Sequence, residues 1–205
     1  MSLMFIAVSS FMVALSGALV PGPLFTITVS ESAKRGAATG PLIILGHAIL
    51  EMFVIVTVLA GLSPVLKHET TRQVISLTGG VMLVLMGGMT LKDLRKASLD
   101  LTADDRKRGR SLVLTGILGS LANPYWIIWW ATIGIGYLVS SLRFGIAGIV
   151  VFFLGHISAD LAWYSTVSWT AAKGRKLLGD RGYRAILLVC GVFLIGFGVW
   201  FISSA

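Results

Sequence analysis

Cysteine is almost missing from this chain: of 205 residues only Cys190 carries a thiol. A lone thiol excludes an internal disulfide and a two-thiol relay. Within an apolar run it reads as a small packing residue. Histidine is nearly as scarce, at three residues, and charged residues make up only 13%. Hydrophobic residues reach 56%, with a mean hydropathy of +0.88, which is high for a soluble domain. Long hydrophilic stretches are missing too, apart from one segment at about 92–110. No soluble catalytic domain fits beside the apolar runs. A Gly-x-Ser-x-Gly elbow, a P-loop and a dinucleotide glycine fingerprint are all absent, so nothing marks an enzyme and no cofactor is expected. ATP-driven work would need a separate subunit.

What the chain has instead is apolar length. Hydrophobic runs cover roughly 3–29, 37–62, 74–91, 111–140, 144–169 and 185–203. A bilayer core about 30 Å thick needs about 20 helical residues. The expectation is an all-α polytopic membrane protein with six transmembrane helices. The first run lacks a basic flank and is too long for a cleavable signal.

The net charge of +8 is distributed unevenly. Of 17 basic residues, 14 fall after the first, third and fifth runs: Lys34 and Arg35; seven between Lys92 and Arg110; and Lys173, Arg175, Lys176, Arg181 and Arg184. The other side holds Lys67, Arg72 and Arg143. The positive-inside rule then predicts cytoplasmic odd-numbered connectors and both termini outside, in the cell inner (plasma) membrane. The basic residues orient the spans and meet membrane lipid headgroups. No nucleic-acid partner is expected.

The sequence also repeats itself. Gly46-His47 followed by Glu51 recurs as Gly155-His156 followed by Asp160, 109 residues later. Each copy sits mid-run, one run after a proline break: Pro21-Gly22-Pro23 in the first half, Asn123-Pro124 in the second. Gly80-Val81-Met82-Leu83 likewise resembles Gly191-Val192-Phe193-Leu194, with Gly87 and Gly198 seven residues on. Three spans per half put the halves in opposite orientations, the inverted-repeat plan of many secondary transporters. One transporter domain, 1–205, is therefore expected: repeat one at about 1–91, a cytoplasmic connector at about 92–110, and repeat two at about 111–205. Gly79, Gly80, Gly87 and Gly88 suit a close helix contact, within the chain or, alternatively, at a homodimer seam.

Broken helices and ionisable groups are costly in lipid and mark transport paths. Pro21 and Pro23 would free the carbonyls of Gly17 and Leu19, and Pro124 that of Ser120. Gly22 permits unwinding. A half-helix starting at Leu24 would turn the amides of Leu24 and Phe25 toward an anion such as a carboxylate. Asn123 can donate and accept beside the second break. Tyr125, Trp126, Trp129 and Trp130 read first as interface anchors, and otherwise as cavity lining. His47 and Glu51 share a helix face, as do His156 and Asp160. The plain reading is an i,i+4 hydrogen bond in each span. The functional one has Glu51 and Asp160 binding a cationic group or a proton, with His47 and His156 tuning them. Two histidines and two carboxylates also suit a divalent metal, but no cysteine ligand or histidine-rich loop accompanies them, and no metal site is assigned.

At these residues the chain resembles the lysine-exporter (LysE/RhtB-type) family of small amino-acid translocators. That family's first motif corresponds to Pro21-Gly22-Pro23, Gly36, Gly40, Gly46 and Glu51, and its second to Asn123-Pro124 with the aromatics after it. Tyr125 stands where the family has lysine, and Glu51 where aspartate is more frequent. The resemblance implies gradient-coupled efflux of an amino acid or related small molecule by alternating access. The residues expected to bind it are Pro21, Gly22, Pro23, Leu24, Phe25, His47, Glu51, Asn123, Pro124, Tyr125, His156 and Asp160, with Glu51 and Asp160 coupling protons. The alternative is a divalent-metal exporter of the same superfamily. A membrane electron carrier or an assembly factor is a third class, which the single thiol argues against.

Overall fold

The computed structural model describes residues 2–62, 69–92, 94 and 111–203. Among them all regular structure is helical: α1 (Leu3–Ala18), α2 (Pro23–Arg35), α3 (Thr39–Thr57, extended by a π turn at Val58–Leu62), α4 (Glu69–Lys92), α5 (Leu112–Leu121), α6 (Pro124–Trp129, followed by a π turn at Trp130–Gly134), α7 (Ile135–Ser141) and α8 (Gly145–Ser203). Lys67, His68 and the basic residues between 95 and 110 lie outside the described residues.

The helices are built for a lipid solvent. Along α3, His47, Leu50, Glu51 and Ile55 are buried, while Ile49, Met52, Phe53 and Val56 are exposed. In water such an outer face would be a liability; in a bilayer it is the solvated face. Among the described residues three stretches are long and apolar enough to cross a membrane: Thr39–Gly61, Pro124–Gly174 and Arg181–Trp200. The pair α1 and α2, bent by 77°, makes a further broken span or re-entrant segment.

The stretch Pro124–Gly174 has 51 residues, or about 77 Å of helix, more than twice the bilayer core. It is interrupted at Gly145, whose φ of 61° is suited to glycine. There the chain doubles back: the rings of Tyr137 and Phe152 stack at 6.0 Å. A side chain on Gly148 would strike the Ser141 carbonyl, which is how closely the two arms approach.

α8 is helical from end to end but not straight. The ring of His156 lies 4.7 Å from that of Trp129, and the ring of Phe197 lies 5.9 Å from that of Tyr125, one turn away on α6. A straight helix would separate residues 156 and 197 by about 60 Å. Ser168 bonds Ser32, and Tyr183 bonds Ser30, so the reversal falls between Ser168 and Tyr183. The basic connector expected there is helical instead; it contains no proline to stop the helix.

Glycines set the helix contacts. Within α3 and α5, a side chain on Gly46 would fall on the Val113 carbonyl, and one on Gly116 on the Ile43 carbonyl. Between α8 and α1, a Cβ on Gly155 would meet the Ser10 hydroxyl and stand 2.7 Å from the Ala7 carbonyl. α4 runs antiparallel to the last part of α8, with Gly80 against Gly198 and Gly87 against Gly191. Gly80 and Gly87 thus pack within the chain, while Gly88 meets nothing within 4 Å among the described residues. Without a hydrophobic force between helices in lipid, such close packing is a main source of cohesion.

Candidate functional site

The two proline breaks meet. Gly22, the residue before α2, sits beside Asn123, the residue before α6: a Cβ on Gly22 would lie 3.6 Å from the Asn123 amide nitrogen. Both helices start with proline, which has no amide hydrogen to lose there. Asn123 caps α6 by accepting from the Tyr125 amide at 3.2 Å. Gly22 offers α2 no side-chain cap, so the amides of Leu24 and Phe25 at its start keep their partial positive charge.

Two expected carbonyl gaps are closed. The Gly17 carbonyl accepts from the Val20 amide at 3.1 Å, and the Ser120 carbonyl from the Asn123 amide at 3.0 Å. The last turn of each helix tightens before the break, which satisfies groups an α-helical count leaves open.

Next to the breaks, α3 and α8 bring His47, Glu51, His156 and Asp160 into one cluster. All four are buried, Glu51 completely. One ligand-capable atom from each lies within 4.8 Å of the other three. His47 Nε2 is 3.2 Å from Glu51 Oε1 and 3.7 Å from Asp160 Oδ2. His156 Nε2 is 3.1 Å from Glu51 Oε1 and 3.4 Å from Asp160 Oδ2. Each histidine therefore contacts the acid on its own helix and the acid on the other. The i,i+4 pairs exist, but as edges of a cross-helix quartet.

Surrounding groups fix this quartet. Trp126 and Trp130, one turn apart on the same face, donate their indole N–H groups to Glu51 Oε1 at 3.1 and 3.0 Å. His47 Nδ1 is 2.7 Å from the Ser120 hydroxyl, which donates to the Gly116 carbonyl at 2.8 Å. With its hydrogen so placed, the hydroxyl oxygen accepts from His47 Nδ1–H. Among the described residues Glu51 Oε2, Asp160 Oδ2 and His156 Nδ1 are buried without a hydrogen-bond partner. Such groups are costly unless something else satisfies them.

A cavity opens beside the quartet. Leu24, His47, Glu51, Asn123, Tyr125, His156 and Asp160 all line it, together with Trp126, Trp129 and Tyr164. Pro21, Gly22, Pro23 and Pro124 shape the chain around it without lining it, and Phe25 packs instead beside Ala18, Ile43, Ile44 and Tyr164. The tryptophans are not interface anchors: Trp126, Trp129 and Trp130 are 9%, 6% and 2% exposed. Sequence reading missed their role as donors to Glu51, and missed the Ser120 hydroxyl and Tyr164. The i,i+4 spacing of Trp126 and Trp130 was the available signal for the donors; Ser120 had none.

The chain is similar in sequence to known proteins. YcgF of Bacillus subtilis (strain 168), whose name assigns it provisionally to amino acid efflux, is 25% identical over 197 residues, covering 96% of this chain and 94% of that protein. The chemotactic transduction protein ChpE of Pseudomonas aeruginosa (strain PAO1) is 28% identical over 191 residues, covering 86% of this chain and 87% of that one. No solved structure matches the chain. The LysE type translocator family matches residues 15–205, nearly the whole length. The chain belongs to that family and is a multi-pass membrane protein.

Proposed function

We propose that this chain is a secondary-active exporter of an amino acid or related small molecule, working by alternating access between two inverted three-helix halves. One observation carries the reading. Glu51 and Asp160, on different helices and 109 residues apart, converge in a cavity that touches both proline breaks. A broken helix and an intramembrane acid, each present twice and gathered at one place, are what such a transporter needs.

The helix contacts support the inverted plan. α1 packs on α8 at Gly155, and α5 packs on α3 at Gly46. The first arm of each broken span thus rests on the acid-bearing helix of the other half. On this reading the bend at Gly145 and the reversal in α8 divide the chain into six passes. Family membership supports transport over catalysis, and the naming of YcgF supports efflux of an amino acid. On this reading the basic connectors face the cytoplasm and the protein sits in the cell inner membrane with both termini outside.

A zwitterion fits the chemistry on offer. Its carboxylate would meet the uncapped amides at the start of α2, Leu24 foremost, because Leu24 reaches the cavity. Its ammonium would meet Asp160, the less enclosed acid, once the cavity widens. Tyr125 supplies a neutral hydroxyl where the family has a cation, so the carboxylate depends more on backbone amides here. Protons on Glu51 and Asp160 would compete with substrate and couple the fluxes.

The test is efflux from vesicles holding purified protein, preloaded with radiolabelled amino acids and given a pH gradient. Wild type should export at least one of them faster than empty vesicles. Glu51→Gln combined with Asp160→Asn should abolish that export while the protein stays inserted. Undiminished export by the double variant would refute the role of the acids.

A further inference from the structure

We infer that His47, Glu51, His156 and Asp160 together form a binding site for one divalent transition-metal ion of the Zn²⁺ class. The site is argued from the quartet's own geometry and does not depend on the export reading.

The first argument is spacing. Ligand atoms around a tetrahedral ion with bonds of about 2.0–2.1 Å stand about 3.3 Å apart. The four histidine–carboxylate separations in the quartet are 3.2, 3.7, 3.1 and 3.4 Å. All four atoms fall within 4.8 Å of one another. Two imidazole nitrogens and two carboxylate oxygens form a donor set that zinc accepts.

The second argument is the direction of the lone pairs. Ser120 takes the Nδ1 hydrogen of His47. In its neutral form the ring then presents its Nε2 lone pair to Glu51 and Asp160, whose oxygens are also lone-pair donors. A cation between them turns this repulsion into coordination. Tying the far nitrogen of a ligand histidine to a hydrogen-bond partner is how metal sites fix the tautomer and the ring plane. Trp126 and Trp130 do the same for the Glu51 carboxylate.

The third argument is charge and room. Two carboxylates bring a charge of −2 into the bilayer interior, where an uncompensated charge is costly. Neither lysine nor arginine is among the described residues lining the cavity. One dication restores neutrality and gives the unpartnered Asp160 Oδ2 a bond. The cavity offers about 50 Å³ to the centres of water-sized spheres, against about 10–15 Å³ for a single water on that measure. In this conformation it suits an ion with a few waters better than a free amino acid. Two protons shared by the quartet are the competing occupant.

The test uses the full chain, tag-free and purified in detergent, loaded with Co²⁺ and desalted, in a Cys190→Ser background to remove the only thiol. The site predicts about one Co²⁺ per chain with the intense visible absorption of a tetrahedral ion, displaced by Zn²⁺. His47→Ala with His156→Ala should weaken retention by at least about 100-fold, with helical circular dichroism confirming that the variant is folded. If the double variant does not fold, the wild-type spectrum still decides. Absence of retained ion, a weak octahedral spectrum, or equal retention by the folded double variant would each overturn the site and leave the quartet to protons.

Discussion

His156 Nε2 lies 3.1 Å from Glu51 Oε1, although the two residues are 105 positions apart and sit on different helices. This contact ties α8 to α3 at the centre of the molecule. The same oxygen accepts from Trp126 and Trp130, so three elements share one atom. The arrangement makes Glu51 an organising group as much as a ligand, and several expectations follow from that.

Removing one indole donor should cost about 1.5–3 kcal/mol, the range for a hydrogen bond to a charged partner. Trp126→Phe and Trp130→Phe each keep an aromatic ring and lose the N–H. Denaturant unfolding in mixed micelles should show both to be less stable than wild type. Their combination should cost something other than the sum, because both donors serve one oxygen. Strict additivity would mean that they do not act on a shared acceptor.

Ser120→Ala should leave the fold largely intact and loosen His47. If the quartet holds metal, Co²⁺ affinity should drop about 10–100-fold, the usual effect of losing a hydrogen bond behind a ligand histidine. Ser120→Thr, which keeps the hydroxyl, should recover most of it. Equal affinities for Ser120→Ala and wild type would show that the ring needs no such anchor.

Glycine substitutions should divide by position. Gly46→Ala and Gly155→Ala place a methyl against backbone or side-chain atoms of α5 and α1. Forcing these helices apart should cost at least about 1–3 kcal/mol and lower the yield of monodisperse protein. Gly88→Ala and Gly136→Ala point into open space and should behave as wild type. Thermal stability in one detergent compares all four.

Much of this architecture was legible in the sequence, for reasons that can be named. The apolar runs and the proline breaks predict the helices because lipid permits few alternatives to helix. Broken spans near Pro21–Pro23 and Asn123–Pro124 match the ends of α1 and α5 and the starts of α2 and α6. The pairing of His47 with Glu51 and of His156 with Asp160 followed from helical periodicity. That the two pairs would interlock did not, because periodicity gives the face of a helix and not its neighbour. The buried tryptophans were read first as anchors because depth in the membrane is not written in a side chain. The role of the Ser120 hydroxyl was invisible because a lone serine in an apolar helix commonly bonds its own backbone, which it also does here. The helical run through the basic stretch after Lys173 escaped notice because charge density marks a membrane boundary and does not break a helix.

The most direct test of the central claim, one polar chamber between two halves reached from each side in turn, is cysteine accessibility. Ala18 is buried, lines the chamber and sits at the end of α1. In a Cys190→Ser background, Ala18→Cys should be modified by a membrane-impermeant thiol reagent from either face of the membrane, at rates that a transported solute alters. Ile49→Cys, exposed on the outer face of α3, should stay unreactive. If Ala18→Cys were as inert as Ile49→Cys from both faces, with the protein folded, the chamber would not be a transport path.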